Sequence, residues 1–332
     1  MPILPHEFLS PFLTHKAEAM KLNLSQRYLD ANNESKAYRC ECCGDYLVFD
    51  TYQHLVTGET KRKLVGANFC AVRWCPMCCW LKAKKLITAL YPVFQAVETN
   101  YNARYIFTTL TIKNALLEDL NATCKHLSKA WYRLFKRKAI ERISLGFVRA
   151  IEFIGDQTPP AECHAHYHAL IAVAPSYFTG RAYLKQATWT ELWQKSLRVP
   201  YIPVVNVKAI KSKLCTELSA NADVFNSKPL LKPLLECVKY SVKPAKIVKL
   251  SQAQFQTLDK QAKGIRQYNT GGLIKTLLKE NANAEKDNAE VLSPDEWQFL
   301  QKEYFKWCGL EYKSDEVIPT EGLVIEYKFS TS

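Results

Sequence analysis

The chain has 332 residues, 45 Lys and Arg against 32 Asp and Glu, a formal net charge of +13 and a pI near 9.1, and 48% of its residues are hydrophobic. That length and composition suit one large core or two modest ones and exclude a disordered chain. No window approaches the roughly 20 apolar residues that span a bilayer, and the positive field predicts a polyanionic partner, nucleic acid ahead of an anionic membrane surface.

The first residues, MPILPHEFLS, have no basic start, apolar core and small-residue cleavage site, so a soluble chain kept in the cytoplasm is expected. In that reducing compartment the twelve cysteines read as metal ligands where they are closely spaced, not as disulfides. Residues 1–37 show no strong periodicity and read as a polar leader. Residues 38–98 form a cysteine-rich module followed by a helix, with a turn at Thr57-Gly58 and the helix over Cys79 to Val97.

The segment ARYIFTTLTIK (103–113) is β-branched and aromatic and predicts a strand. Between Leu120 and Lys138, Leu120, Cys124, Leu127, Trp131, Leu134 and Phe135 recur at helical spacing, with Lys125, Lys129, Arg133, Lys136 and Arg137 mainly on the other face. GFVRAIEFI (146–154) and HAHYHALIAVA (164–174) then pair as a hairpin across a Pro-containing turn. A helix from about Thr179 to Leu197, capped by Ser176 or Thr179, precedes a strand PVVNVKAI (203–210). The fold class is therefore α+β: a central antiparallel sheet in the order β-α-β-β-α-β, with helices on one face and the other free for a site. A short helix around Leu231 to Val242 and a Gly-containing segment RQYNTGGLIK (266–275) complete a domain over 99–278. Residues 279–332 read as a tail without assigned role, in which a linker, ENANAEKDNAE, precedes a small amphipathic piece holding Trp297 and Trp307.

Within HAHYHALIAVA, His164, His166 and His168 alternate with Ala165 and Tyr167 and so share one face of the strand. A single histidine is usually an ordinary surface or core residue, but three at period two on an apolar strand can share one ion. Glu152 on the neighbouring strand can add a carboxylate, which makes Mn²⁺ or Mg²⁺ reasonable where phosphate is handled. In KPLLECVKYSVK, Glu236, Lys239, Tyr240 and Lys243 make one polar helical stripe. A phenol attacks a phosphodiester usefully only beside a Lewis acid and a proton acceptor. Alone, that stripe reads as a solvated helix face.

The cysteines of CECC (40–43) and CPMCC (75–79) are paired at both ends of a loop, and Cys40, Cys43, Cys75 and Cys78 fit a tetrahedral Zn²⁺ site. Cys70 in place of Cys40 is an alternative ligand, Cys42 is a spare, and buried reduced thiols are the plain reading. Lys61 to Lys63 and the run Lys82, Lys84 and Lys85, with Arg133, Lys136 and Arg137, could contact DNA phosphates or be simply solvated. Cys124, Cys163, Cys215, Cys237 and Cys308 have no ligand spacing.

FTTLTIK (107–113), HAHYH (164–168), ECVKYSVK (236–243) and RQYNTGGLIK, in this order, resemble the HUH endonucleases, and within them the single-tyrosine plasmid Rep proteins that initiate rolling-circle replication. A CGDYL and CPMC-W pattern like that of this family stands ahead, which implies a structural zinc. The resemblance implies His166 and His168 as metal ligands with His164 accessory, and Tyr240 as nucleophile with Glu236 activating water at termination, with Lys239 and Lys243 as accessories. It implies nicking of single-stranded or hairpin-extruded origin DNA with flanking duplex, a 5′-phosphotyrosine, and a 3′-OH that primes the host polymerase, with a host helicase as further partner. A homo-oligomer is left open. Ala165 departs from the proline common there, away from the chemistry. Alternatives are a transposase or mobilisation relaxase on the same core, or a non-catalytic zinc-ribbon nucleic-acid-binding protein.

Overall fold

The computed structural model describes residues 7–159, 161–210, 231–238, 241–287 and 296–319. In chain order its elements are α1 (Ser10–Leu22), α2 (Leu24–Leu29), α3 (Glu34–Glu41), β1 (Tyr46–His54), β2 (Thr60–Ala67), α4 (Pro76–Tyr101), β3 (Arg104–Thr111), β4 (Ala115–Leu116), α5 (Leu120–Phe135) and α6 (Lys138–Glu141). They continue with β5 (Ser144–Glu152), β6 (Glu162–Cys163), β7 (His166–Val173), α7 (Gln186–Leu197), β8 (Val205–Ile210), α8 (Leu231–Val238), α9 (Pro244–Val248), α10 (Gln252–Gln261), β9 (Tyr268–Gly271), α11 (Gly272–Asp287), β10 (Trp297–Trp307) and β11 (Tyr312–Pro319). The chain divides into two compact units, 1–78 with 288–332, and 79–287.

The first unit holds an antiparallel sheet ordered β11-β10-β1-β2. Its inner face is aromatic because Leu47 and Phe49 alternate with more exposed residues along β1. Phe49 meets Phe305 of β10 at 5.9 Å, and Phe8 and Phe12 close edge-on over Phe49 at 5.2 and 5.7 Å. Lys16 of α1 bonds the Cys43 carbonyl and the Asp45 carboxylate, each at 2.7 Å. The leader read over 1–37 is thus largely helical, and α1 with the turn before it closes this core. Its apolar residues are few and serve one patch of sheet, which leaves no long periodic stripe to read.

The stretch 279–332, given no role from sequence, supplies β10 and β11 to the same sheet. The linker expected over 280–290 is helical as far as Asp287. Alanines, glutamates and lysines there are strong helix formers, so a polar run of this composition need not be a loop.

The second unit holds a five-stranded antiparallel sheet ordered β8-β3-β7-β5-β9. Strands and helices follow the β-α-β-β-α-β order, with β9 added at the edge. On one face α5 lays Trp131 against Phe147 and Tyr167, at 4.9 and 5.5 Å between rings, and Trp193 of α7 donates to the Thr111 carbonyl at 2.8 Å.

The opposite face is not free, as the sequence reading had it. Leu86, Leu90 and Phe94 of α4, Leu234 and Cys237 of α8 and Ile274 of α11 pack on Val148, Leu170 and Ala172. Apolar residues on both faces of the central strands require cover on both sides. His166 and His168 lie at one end of that face. Two local expectations also shift: α7 starts at Gln186 behind a short 3₁₀ turn, Pro175–Phe178, with no side-chain cap, and the helix placed over Leu231 to Val242 is described only as far as Val238.

Close packing accounts for the Gly271-Gly272 pair without any ligand. A Cβ on Gly271 would lie 2.4 Å from the Phe147 ring, and Gly272 adopts φ +59° against the Leu145 carbonyl. Only glycine lets β9 run this close to β5 and turn directly into α11.

Candidate metal centres and their surroundings

The β5–β7 register sets Glu152 opposite His166, and the β3–β7 register sets Thr109 opposite His168. Side chains two apart on β7 share a face, so the imidazoles converge. Their Nε2 atoms stand 3.1 Å apart, and one Glu152 oxygen lies 3.5 Å from the first and 3.4 Å from the second. Each ring is held through its other nitrogen: His166 Nδ1 donates to the His164 carbonyl at 2.8 Å, and His168 Nδ1 bonds Thr109 Oγ1 at 3.1 Å. Phe107 stacks on His168 at 5.6 Å. Both Nε2 atoms thus face one carboxylate in largely buried surroundings, a donor set that a cation can share.

The donors fit a hard divalent cation. All three ligand atoms lie within 4.8 Å of one another, and adjacent ligands about 2.1 Å from an octahedral Mg²⁺ are separated by about 3.0 Å. Burial pushes the Glu152 carboxyl up, but the two imidazoles outweigh it and hold the group at about 2, ionised under ordinary conditions. His164 lies outside this set. It precedes β7, its Nδ1 contacts Asn114 Oδ1 at 2.7 Å, and burial with the neighbouring His166 lowers its pKa.

A second group gathers Cys43, Cys70, Cys75 and Cys78, again within 4.8 Å. The pairs Cys43–Cys75, Cys43–Cys78 and Cys70–Cys78 stand 3.6, 3.7 and 3.5 Å apart, too long for a disulfide. They are close to the edge of about 3.8 Å that a tetrahedron with Zn–S near 2.3 Å requires. Backbone N–H groups of Cys70 and Val72 point at Cys43 and Cys70 sulfurs, 3.4 and 3.5 Å away, as they do at thiolates.

Shared hydrogen bonds push the Cys70 thiol down, first through Cys40, and the Cys43 thiol up, first through Cys70, as in closely packed sulfurs that titrate together. Cys40 of α3 is half-buried beside Cys70 but outside the four, so the group that the structure gathers contains the alternative Cys70 and not Cys40. Pair spacing favoured Cys40; the approach of the 68–72 loop brings Cys70 among the other three.

The remaining expected residues scatter. Tyr240 and Lys239 lie outside the described residues. Glu236 is half-buried on α8. Lys243 pairs with Asp156 at 2.8 Å, which raises the lysine pKa.

Arg133 and Arg137 bond the carbonyl and the hydroxyl of Ser196 at 2.6 and 2.9 Å and so tie α5 to the end of α7. Lys82 lies 5.3 Å over Tyr268, Lys84 5.6 Å over Trp80 and Lys136 5.7 Å over Tyr132, while Lys85 is exposed. Thr109 and Asn114 were not foreseen, since only strand register brings them to the histidines.

A family model described as a replication protein matches residues 61–314. The chain belongs to this replication-protein family. It is 34% identical over 253 residues to a "Protein rep" of Bacillus sp, covering 74% of this chain and 80% of that one. A "Protein rep" of Bacillus amyloliquefaciens is 30% identical over 269 residues, 79% of this chain and 77% of the relative. One from Streptococcus pneumoniae is 30% identical over 265 residues, 78% and 76%. No solved structure matches the chain. No helix among the described residues is long and apolar enough to cross a membrane.

Proposed function

We propose that this replication protein is a plasmid rolling-circle initiator of the HUH type, which nicks and rejoins single-stranded origin DNA through Tyr240. The carrying observation is the convergence of Glu152, His166 and His168 on facing antiparallel strands, with ligand atoms within 4.8 Å, in a member of a replication-protein family. A hard divalent cation such as Mn²⁺ or Mg²⁺ held by these three residues would supply Lewis acidity to a phosphodiester. The chain's own residues supply the rest.

Tyr240 attacks phosphorus, the P–O3′ bond breaks, and the phenolic proton ends on the departing 3′ oxygen. A 5′-phosphotyrosine and a 3′-OH result, the latter a primer for the host polymerase, with a host helicase opening the duplex. The described neighbours support this assignment. Ser241, next in sequence to Tyr240, accepts a 2.7 Å backbone bond from Phe153, next to Glu152. Glu236 and Glu152 both act electrostatically on Lys243. Glu236 is assigned to activating water at termination. Cys43, Cys70, Cys75 and Cys78 are assigned to structural Zn²⁺, and the exposed lysines to flanking duplex.

The test is incubation with Mn²⁺ and a labelled single-stranded origin oligonucleotide. A covalent protein–DNA band is expected from the unaltered chain and none from Tyr240→Phe. A band that persists in Tyr240→Phe removes the nucleophile assignment.

A further inference from the structure

Side-chain alternation puts Arg149, Ile151 and Tyr167 on the face of the sheet opposite Glu152, His166 and His168. There, between α5, the strands and the 263–269 segment, lies a cavity of about 440 Å³. Arg149 is in its wall, 8% exposed, with the guanidinium 4.2 Å from the Tyr167 ring and 4.8 Å from the Trp131 ring. Its Nη2 donates to Ser128 Oγ at 3.5 Å and the Tyr167 hydroxyl also interacts with the guanidinium, but Nη1 is buried with no hydrogen-bond partner. No carboxylate among the described residues lies within salt-bridge distance of it.

A buried, permanently charged guanidinium without a counter-charge costs several kcal/mol unless an anion reaches it. Three more cations, Lys125, Lys263 and Arg266, stand exposed among the lining residues, and no Asp or Glu lines the cavity. Four cations around one hollow with no acid repel each other. Asn121, Gln267, Asn269 and Tyr268 supply amide and ring surface in the same wall. The volume far exceeds a lone phosphate and falls in the range of small-molecule pockets, about 300–1,000 Å³.

We propose that this cavity is an anion site for a nucleotide-sized phosphorylated ligand, with the phosphoryl group against Arg149 and the Lys125, Lys263 and Arg266 rim. The ligand is a free mononucleotide or one nucleotide of a DNA strand; the phosphoryl chemistry is common to both. The site is separate from the carboxylate–histidine group and does not depend on the cleavage reading.

The experiment is calorimetric titration of the full chain, without added divalent cation, with thymidine 5′-monophosphate, with thymidine, and with an oligothymidylate as competitor. Saturable binding of the monophosphate and none of thymidine is expected. Arg149→Met and the rim variant Lys125→Ala/Lys263→Ala should each weaken the monophosphate at least about tenfold, the loss of at least one charge-assisted bond. Lys138→Ala, a cation outside the lining, should change it by less than about twofold once salt screens distant charge.

Displacement of the monophosphate by oligothymidylate identifies the DNA strand as the source, and failure to displace it identifies a free nucleotide. Because Arg149 is in the core, the exposed rim variant carries the test if Arg149→Met does not fold. Undetectable monophosphate binding, or binding unchanged in the rim variant, overturns the site.

Discussion

The Nε2 atoms of His166 and His168 face each other across 3.1 Å while the Nδ1 atoms of both rings are held from behind, by the His164 carbonyl and Thr109 Oγ1. Residues two apart on a strand usually project in parallel, so this convergence comes from the backing contacts. It gives the pair one common focus, which Glu152 shares.

Mn²⁺ affinity should respond in graded fashion around that focus. His166→Ala and Glu152→Ala each remove a donor and should abolish saturable binding in calorimetry. Thr109→Val removes only the hydrogen bond behind His168 and should cost about 10-fold to 100-fold. In the same His166→Ala chain, salt-sensitive binding to single-stranded DNA should survive, with a log-log slope of about −0.7 per phosphate contact. Wild-type cleavage by His166→Ala would displace the metal assignment.

Zinc content separates the two cysteine sets. Cys70→Ser should lose one equivalent of Zn²⁺ by atomic absorption and loosen β1 and β2, because thiolate metal sites contribute folding free energy directly. Cys40→Ser should retain the metal. The reverse result would restore Cys40 as the ligand.

Glu303 of β10 makes the first unit's sheet sensitive to acid. Burial raises its carboxyl, but Arg62, 2.7 Å away, and Thr51 outweigh this and hold it below the usual carboxylate range. A depressed folded pKa stabilises fully above the unfolded value of about 4.3 and loses that contribution as pH falls through the folded value. Glu303→Gln should therefore weaken amide protection of β1 and β10 by about 1–3 kcal/mol at pH 7. The difference from the unaltered chain should shrink toward pH 3. A pH-independent difference would show that shape, not charge, is what Glu303 contributes.

Gly271→Ala should destabilise the second unit by about 1–3 kcal/mol in urea unfolding, since the new methyl meets the Phe147 ring. Adding Phe147→Leu should return part of that loss, and strict additivity of the two changes would remove the steric explanation.

Glu236→Ala should still form the covalent adduct with Mn²⁺ and the origin oligonucleotide, while hydrolytic release of product slows. Unchanged release measured by adduct decay would take the water-activating role from this residue.

Local pattern carried much of this protein. Alternation along HAHYHALIAVA put His166 and His168 on one face, and helical spacing from Leu120 to Phe135 produced the stripe that packs Trp131 on the sheet. The order of strands and helices in the second unit followed from the same two periods. Arg133 and Arg137 also secure α7 through Ser196, a contact that the helix face alone does not announce, because a helix face says nothing about which neighbour reaches it.

What needed the tertiary structure was everything set by non-local pairing. Spacing favoured Cys40 over Cys70, and only the path of the loop before α4 brings Cys70 within reach of Cys43, Cys75 and Cys78. The strand at Trp297 belongs beside β1, some 250 positions earlier, and no local propensity encodes such a partner. Periodicity decides which way a side chain faces; which partner stands opposite is decided by inter-strand hydrogen bonding and the burial that pays the entropy of closing long loops.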